Sequence, residues 1–150
     1  WLYLATVLDC FSKKVLGYAM ADHLRTELVA DALRMANRNF AFTAGETVFH
    51  SDRGAQYLST EFAALTKELG VRRSVGRTGI CYDNAWAESF NGTLKNERVY
   101  RTQYPTREHA RKDITRYIEL RYNQIRLHSA IGYRTPNEVE SEWLNQMEAA

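Results

Sequence analysis

The succession of apolar runs predicts a mixed α/β fold, a sheet flanked by helices on both faces. Three observations carry it. Residues 2–8 and 15–21 are apolar runs with aromatic and β-branched members and a polar turn between them, the pattern of a strand hairpin. Two further β-type runs, 47–50 and 71–75, each follow a stretch in which apolar residues recur at helical spacing. From residue 83 onward the helical period takes over.

The elements follow in order. The turn Asp9-Cys10-Phe11-Ser12-Lys13 contains two short side chains, Asp9 and Ser12, able to bond nearby backbone. Leu24, Leu28, Ala32 and Met35 mark a core-packing helix, with Thr26 as its cap candidate and Gly45 as the break before the next strand. The 47–50 strand runs into Ser51-Asp52-Arg53-Gly54, which stops it. Asp52 is therefore expected at the carboxyl end of a strand, where open α/β sheets place their sites. Leu58, Phe62, Leu65 and Leu69 form one helical stripe that Gly70 ends. The 71–75 strand leads to Gly76-Arg77-Thr78-Gly79-Ile80, a glycine-bearing basic segment suited to a mobile loop beside a site. Pro105 and Thr106 open a further helix with Ala110, Ile114, Tyr117 and Ile118 on one face.

The chain is organised around the stretch Asp83-Asn84-Ala85-Trp86-Ala87-Glu88-Ser89-Phe90-Asn91-Gly92-Thr93-Leu94-Lys95. In a helix, Phe90 and Leu94 fall at about 40° and about 80° from Trp86 and make one apolar stripe. Asn84, Glu88, Asn91 and Lys95 fall between about 140° and about 200°, on the opposite side. Asp83 suits the N-cap, because its carboxylate can accept from the free amides of the first turn. The plain reading is an amphipathic helix with a solvated face. The sharper one is a strip offering a carboxylate, two amides and an ammonium to a ligand.

Composition bounds the rest. One domain is expected at 150 residues, with a core over 1–139 and a tail at 140–150. The net charge is only +2, but residues 72–112 hold nine Lys/Arg against four Asp/Glu, a basic middle that suits a phosphate backbone. Arg72, Arg73 and Arg77 are its phosphate-contact candidates, with solvated charge as the alternative. Two cysteines, Cys10 and Cys81, without metal-type spacing suggest neither a disulfide framework nor a zinc site. No signal peptide or membrane-spanning run is visible, so a cytoplasmic protein without a membrane partner is expected. The chain begins at Trp1 rather than Met and reads as a piece of a longer protein.

His50-Ser51-Asp52-Arg53-Gly54, then Asp83-Asn84-Ala85, Glu88-Ser89-Phe90 and Leu94-Lys95, with 35 residues between Asp52 and Glu88, resemble the second and third acidic motifs of DDE transposases. The nearest likeness is to insertion-sequence transposases, whose catalytic core is similar to retroviral integrase. Tyr122-Asn123-Gln124-Ile125-Arg126-Leu127-His128-Ser129 and Gly132-Tyr133-Arg134-Thr135-Pro136 look like the same family's C-terminal signature, except that a proline is usual where Leu127 stands. The resemblance implies a ribonuclease H-like fold and metal-dependent DNA cleavage and strand transfer. It implies double-stranded DNA (element ends and target) as partner, a homo-oligomer, and association with the nucleoid. That chemistry needs carboxylates: a hydroxyl attacks a phosphodiester, an alkoxide leaves, and hard Mg²⁺ or Mn²⁺ ions held on oxygen ligands assist both. Asp52 and Glu88 are the catalytic and metal-ligand candidates. Lys95, two turns past Glu88 on the same face, is assigned a phosphate contact by the resemblance. Asn84 and Asn91 are candidate DNA contacts or plain surface amides. His50 is read as a supporting or core histidine rather than a ligand.

The family's first aspartate lies on a strand that would precede residue 1, so the first strand is expected to be missing and strand transfer by the chain as given is not expected. Asp9 matches a different family position, in the hairpin turn, and is not read as a substitute. Two other readings stand beside the transposase core: a ribonuclease H-like nuclease, and a DNA-binding or oligomerising remnant without catalysis. Two strand edges left open by the missing strand would favour association. A dimer or a rearranged pairing is therefore expected, and light scattering that shows a monodisperse monomer would count against it.

Overall fold

The computed structural model describes residues 1–76 and 85–150. The expected loop 77–80, the Asp83 cap, Cys81 and the candidates Arg77 and Asn84 lie outside the described residues. The chain divides into two compact units, Trp1–Val7 with Leu16–Ser89, and Leu8–Val15 with Phe90–Ala150.

In the first unit, β1 (Tyr3–Leu8) and β2 (Val15–Ala21) pair as the expected hairpin, and α1 (Thr26–Asn39) packs on them. Thr26 is not the cap: Arg25 holds that position without a side-chain bond, and Thr26 is the first helical residue. The helix approaches β2 at Gly17, where a Cβ would stand 2.2 Å from the carbonyl oxygen of Ala32 and 2.4 Å from the amide nitrogen of Ala36. Ala32 and Ala36 keep the facing helix surface low, and both are buried with Leu28, Val29, Ala30 and Leu33. Asn39 then donates to the Leu16 carbonyl at 2.7 Å.

β3 (Val48–Ser51) and β4 (Arg72–Val75) form a parallel pair in the register Val48↔Arg72 to Ser51↔Val75. The described strands thus pair two by two, not as one continuous sheet. Between β3 and β4 the single expected helix is two: α2 (Ala55–Leu58) and α3 (Thr60–Glu68). Ser59 separates them because its hydroxyl accepts from the Phe62 amide and caps α3, a bond a mid-helix serine would forgo. Leu58 is consequently turned to solvent, 54% exposed, and leaves the predicted stripe. Gly70, at φ 68, ends the helix as expected. Phe49, Tyr57 and Phe62 meet ring to ring at 5.5–6.1 Å beneath this pair.

In the second unit, the hairpin turn closes on itself. The Asp9 carboxylate accepts from the Ser12 amide at 2.9 Å and its hydroxyl at 2.6 Å. Asp9 is thereby engaged in turn geometry, as its sequence position suggested. The helix α4 (Ala85–Glu97) buries Phe90 and Leu94 here. Thr106 caps α5 (Arg107–Arg116) through its hydroxyl. The helix then widens to a π turn over Tyr117–Tyr122, in which the Asn123 amide bonds the Ile118 carbonyl five residues back. Ala110, Ile114, Tyr117 and Ile118 are all buried, as predicted. A last helix, α6, spans Pro136–Ala149.

Asn123 joins three of these segments. It is 2% exposed; its carboxamide accepts from the Val15 amide at 3.0 Å and donates to the Val15 carbonyl at 3.1 Å. Its own carbonyl accepts from the Asn137 amide at the start of α6.

Two substitutions test this packing. Gly17→Ala forces α1 off β2 and should destabilise the chain by about 2–3 kcal/mol, read as a lower urea midpoint at unchanged slope. Asn123→Ala leaves both backbone groups of Val15 without their partner and should cost about 2–4 kcal/mol in the same measurement.

Candidate nucleic-acid and metal site

Asp52 follows the last residue of β3 directly. The strand cannot continue, because the Asp52 Oδ1 accepts from the Gly54 amide at 2.8 Å and turns the chain. Gly54 permits that closeness: a Cβ there would meet Asp52 Oδ1 at 2.9 Å. Arg53 reaches across to the Gly76 carbonyl at 3.1 Å, and the Gly76 amide donates to Ser51 at 2.9 Å, so the ends of β3 and β4 are tied where Asp52 emerges. Asp52 is exposed. Its charge acts on the Tyr57 hydroxyl, whose pKa is raised by burial first and by Asp52 second.

Glu88 lies in the first turn of α4 and is exposed; Asn91 and Lys95 are exposed farther along the same helix. The apolar stripe opposite is shorter than expected. Phe90 is 1% and Leu94 4% exposed, but Trp86 is 46% exposed and is not a buried anchor. Among the described residues, no ion pair engages Asp52, Glu88 or Lys95.

The arginine candidates divide. Arg72 is exposed on β4 opposite Val48. Arg73 donates to the Tyr57 carbonyl and lies 5.9 Å above the Phe62 ring, so its stem and charge cover the aromatic cluster. His50 is exposed, not core, and bonds the Ser74 hydroxyl across the strand pair at 2.9 Å. Asp52, Arg72, Arg73 and Glu88 belong to the first unit, Asn91 and Lys95 to the second.

The donor set suits a hard divalent cation in kind: two exposed carboxylates, one at a strand end and one on a helix. Among the described residues no group of three or more Asp, Glu, His or Cys stands ready for a metal ion.

A network that the sequence reading passed over lies at the other end of α4. Glu97 accepts from the Tyr117 hydroxyl and from Arg126 Nε, each at 2.8 Å. Tyr122 meets Phe90 edge to face at 4.9 Å and His128 at 4.6 Å. His128 is held on the neutral side, its pKa lowered chiefly by burial. Tyr122, Arg126 and His128 stand in the Tyr122–Ser129 motif noted above, and that motif was the available signal.

Comparison with known proteins now bears on the whole. The family model described as Integrase core domain matches residues 1–81, and a second of the same description matches 69–136. The uncharacterised 31 kDa protein of insertion element IS600 from Shigella sonnei is 41% identical over 136 residues, 91% of this chain and 50% of that protein. The transposase for insertion sequence element IS904 of Lactococcus lactis is 37% identical over 139 residues, 93% of this chain and 54% of the relative. The transposase InsF of insertion sequence IS3A in Escherichia coli is 38% identical over 148 residues, 95% of this chain and 49% of the relative. The chain thus spans about half the length of these curated relatives. Among solved structures, the catalytic core domain of BIV integrase superposes with TM-score 0.67 at 20% identity, over 95% of this chain and 89% of that one. The HTLV-2 integrase catalytic core domain in complex with magnesium superposes with TM-score 0.64 at 18% identity, over 92% and 82%. These likenesses establish the ribonuclease H-like fold of retroviral integrase cores. With two integrase-core matches that together run from residue 1 to 136, and with transposase relatives near 40% identity, the chain belongs to the integrase core domain family, on its insertion-sequence transposase side.

Proposed function

We propose that this chain is the carboxylate-bearing core of a transposase that cleaves and joins DNA. What supports the reading is an exposed Asp52 at a strand end and an exposed Glu88 on α4, in a fold shared with integrase cores. Mg²⁺ or Mn²⁺ is the cofactor in this reading, in keeping with the magnesium complex of the HTLV-2 core. Bound there, a divalent ion supplies Lewis-acid stabilisation of the charge that develops on phosphodiester oxygens.

The chain's own residues do the rest. Asp52 and Glu88 hold the ion with hard oxygen donors, and their origin in a strand end and a helix limits their wandering. Lys95 lies seven residues past Glu88, two turns on, and offers an ammonium to a backbone phosphate near the reacting end. Asn91 lies between them and offers both a donor and an acceptor to DNA. Asn84 and Arg77 are assigned to the same DNA surface by their place in the sequence. Arg72 adds positive charge from β4, and Arg73 adds less, because its guanidinium is already committed to Tyr57 and Phe62. DNA at the element ends and at the target, a second copy of the chain, and a place on the nucleoid complete the reading.

In this reading the chain binds a divalent metal ion and DNA through these residues. Calorimetric titration with Mn²⁺ tests the metal half. Binding to the wild-type chain that is lost in Asp52→Asn is the expected result. Equal binding by both, or by neither, would remove Asp52 from the metal site.

A further inference from the structure

A greasy contact does not fix the rotation of a helix, because hydrophobic attraction has no direction. Helix α4 buries Phe90 and Leu94, and with those alone it could turn by tens of degrees at little cost. Metal and phosphate ligands tolerate about 10–20°.

Glu97 supplies the missing constraint. Around the helix, Phe90, Leu94 and Glu97 span about 60°, whereas Glu88, Asn91 and Lys95 lie about 100–160° from Phe90. Glu97 therefore shares the held face and not the presented one. Each of its carboxylate oxygens accepts one 2.8 Å bond, Oε2 from the Tyr117 hydroxyl and Oε1 from Arg126 Nε, and Arg121 stands 3.9 Å away. Such bonds are directional, and the charged ones are the strongest of their kind. Burial works against the Glu97 carboxylate, yet the hydrogen bonds from Arg126 and Tyr117 hold its pKa below the ordinary glutamate range. The Tyr117 hydroxyl is pushed up by burial and by Glu97, so it stays a donor at neutral pH.

The π turn makes the arrangement possible. In an α-helix, Tyr117 and Tyr122 would point about 140° apart. With bonds five residues long they come to one side, their rings 6.4 Å apart, and one takes Glu97 while the other packs on Phe90. Bulges of this type recur at functional sites.

We infer that Tyr117 and Arg126 are positioning residues: by holding Glu97 they set the rotational phase of α4 and keep Glu88, Asn91 and Lys95 turned outward for metal and DNA. The inference rests on the function proposed above. Its test has two readouts. Trp86, on the first turn of α4, reports the helix by acrylamide quenching once Trp1 and Trp143 are replaced by Phe. Mn²⁺ calorimetry reports Glu88. Tyr117→Phe keeps the ring and deletes only the bond; Glu97→Ala removes the whole clamp; Glu97→Gln restores the acceptor. Tyr104→Phe deletes a comparable bond, 2.7 Å long, made to Asp113 instead of Glu97.

The expected result is a changed quenching constant and about tenfold weaker Mn²⁺ binding in Tyr117→Phe and Glu97→Ala. Glu97→Gln should fall between these and wild type, and Tyr104→Phe should match wild type. Unchanged quenching in both clamp variants, or an equal change in Tyr104→Phe, overturns the inference. Glu88→Gln reads the function beneath it: if Mn²⁺ binding survives that change, the metal assignment fails, and quenching alone decides the clamp.

Discussion

Two hydrogen bonds tie the Asn123 carboxamide to the Val15 backbone in the way a peptide group would. A carboxamide has the same donor and acceptor as a peptide group, so it satisfies an amide and a carbonyl at once. Asn123 is 2% exposed, and an unpaired peptide group at that depth would cost about 1–3 kcal/mol. The second unit depends on it. The hairpin turn, the π turn and the start of α6 all converge on this one residue, the last through the bond from Asn137 to the Asn123 carbonyl.

Helix α4 is the complementary case, an element that must be held on one side so that it can be empty on the other. Its exposed residues gain nothing for stability from their placement; Glu88, Asn91 and Lys95 carry no ion pair among the described residues. The stability comes from Phe90 at 1% exposure and Leu94 at 4%, worth about 1.5–3 kcal/mol each, and from the bonds on Glu97. A helix divided in this way suits an encounter with phosphates and cations, which it meets without first breaking internal bonds.

Much of this was legible in the residues. The hairpin, α1, the β3 and β4 strands and the α5 face follow from apolar period, and the placement of Asp52 follows from the turn chemistry after β3. What was not legible has physical causes. Ser59 looked like one polar position in a helical stripe, but a serine in that place satisfies the Phe62 amide better as a cap. Trp86 has the right angle for the apolar stripe and yet is 46% exposed, because periodicity gives a direction and not a neighbour. The start of α6 was in fact signalled: Thr135 and Glu138 form a reciprocal capping box around Pro136. The pairing of strands two by two depends on partners distant in sequence, which no local pattern specifies. The Glu97 clamp is likewise invisible, since its members are 20 and 29 positions apart from Glu97.

The π turn at Tyr117–Tyr122 has a consequence for how this chain can vary over evolutionary time. A π turn is an α-helix carrying one extra residue, and deletion of any single residue within it would restore regular, locally better hydrogen bonding. The helix downstream would keep its phase, because the π turn is what absorbs the extra residue, and positions 117 and 122 would stand four apart on one side of an α-helix. Loss of one residue there is thus the one change of length this helix absorbs, whereas the same loss in the regular turns of α5 would swing Asn123 about 100° away from Val15. Divergent descendants of this chain should therefore lose a single residue within 118–121 more readily than within the regular turns of α5, where every side chain downstream has to arrive in phase.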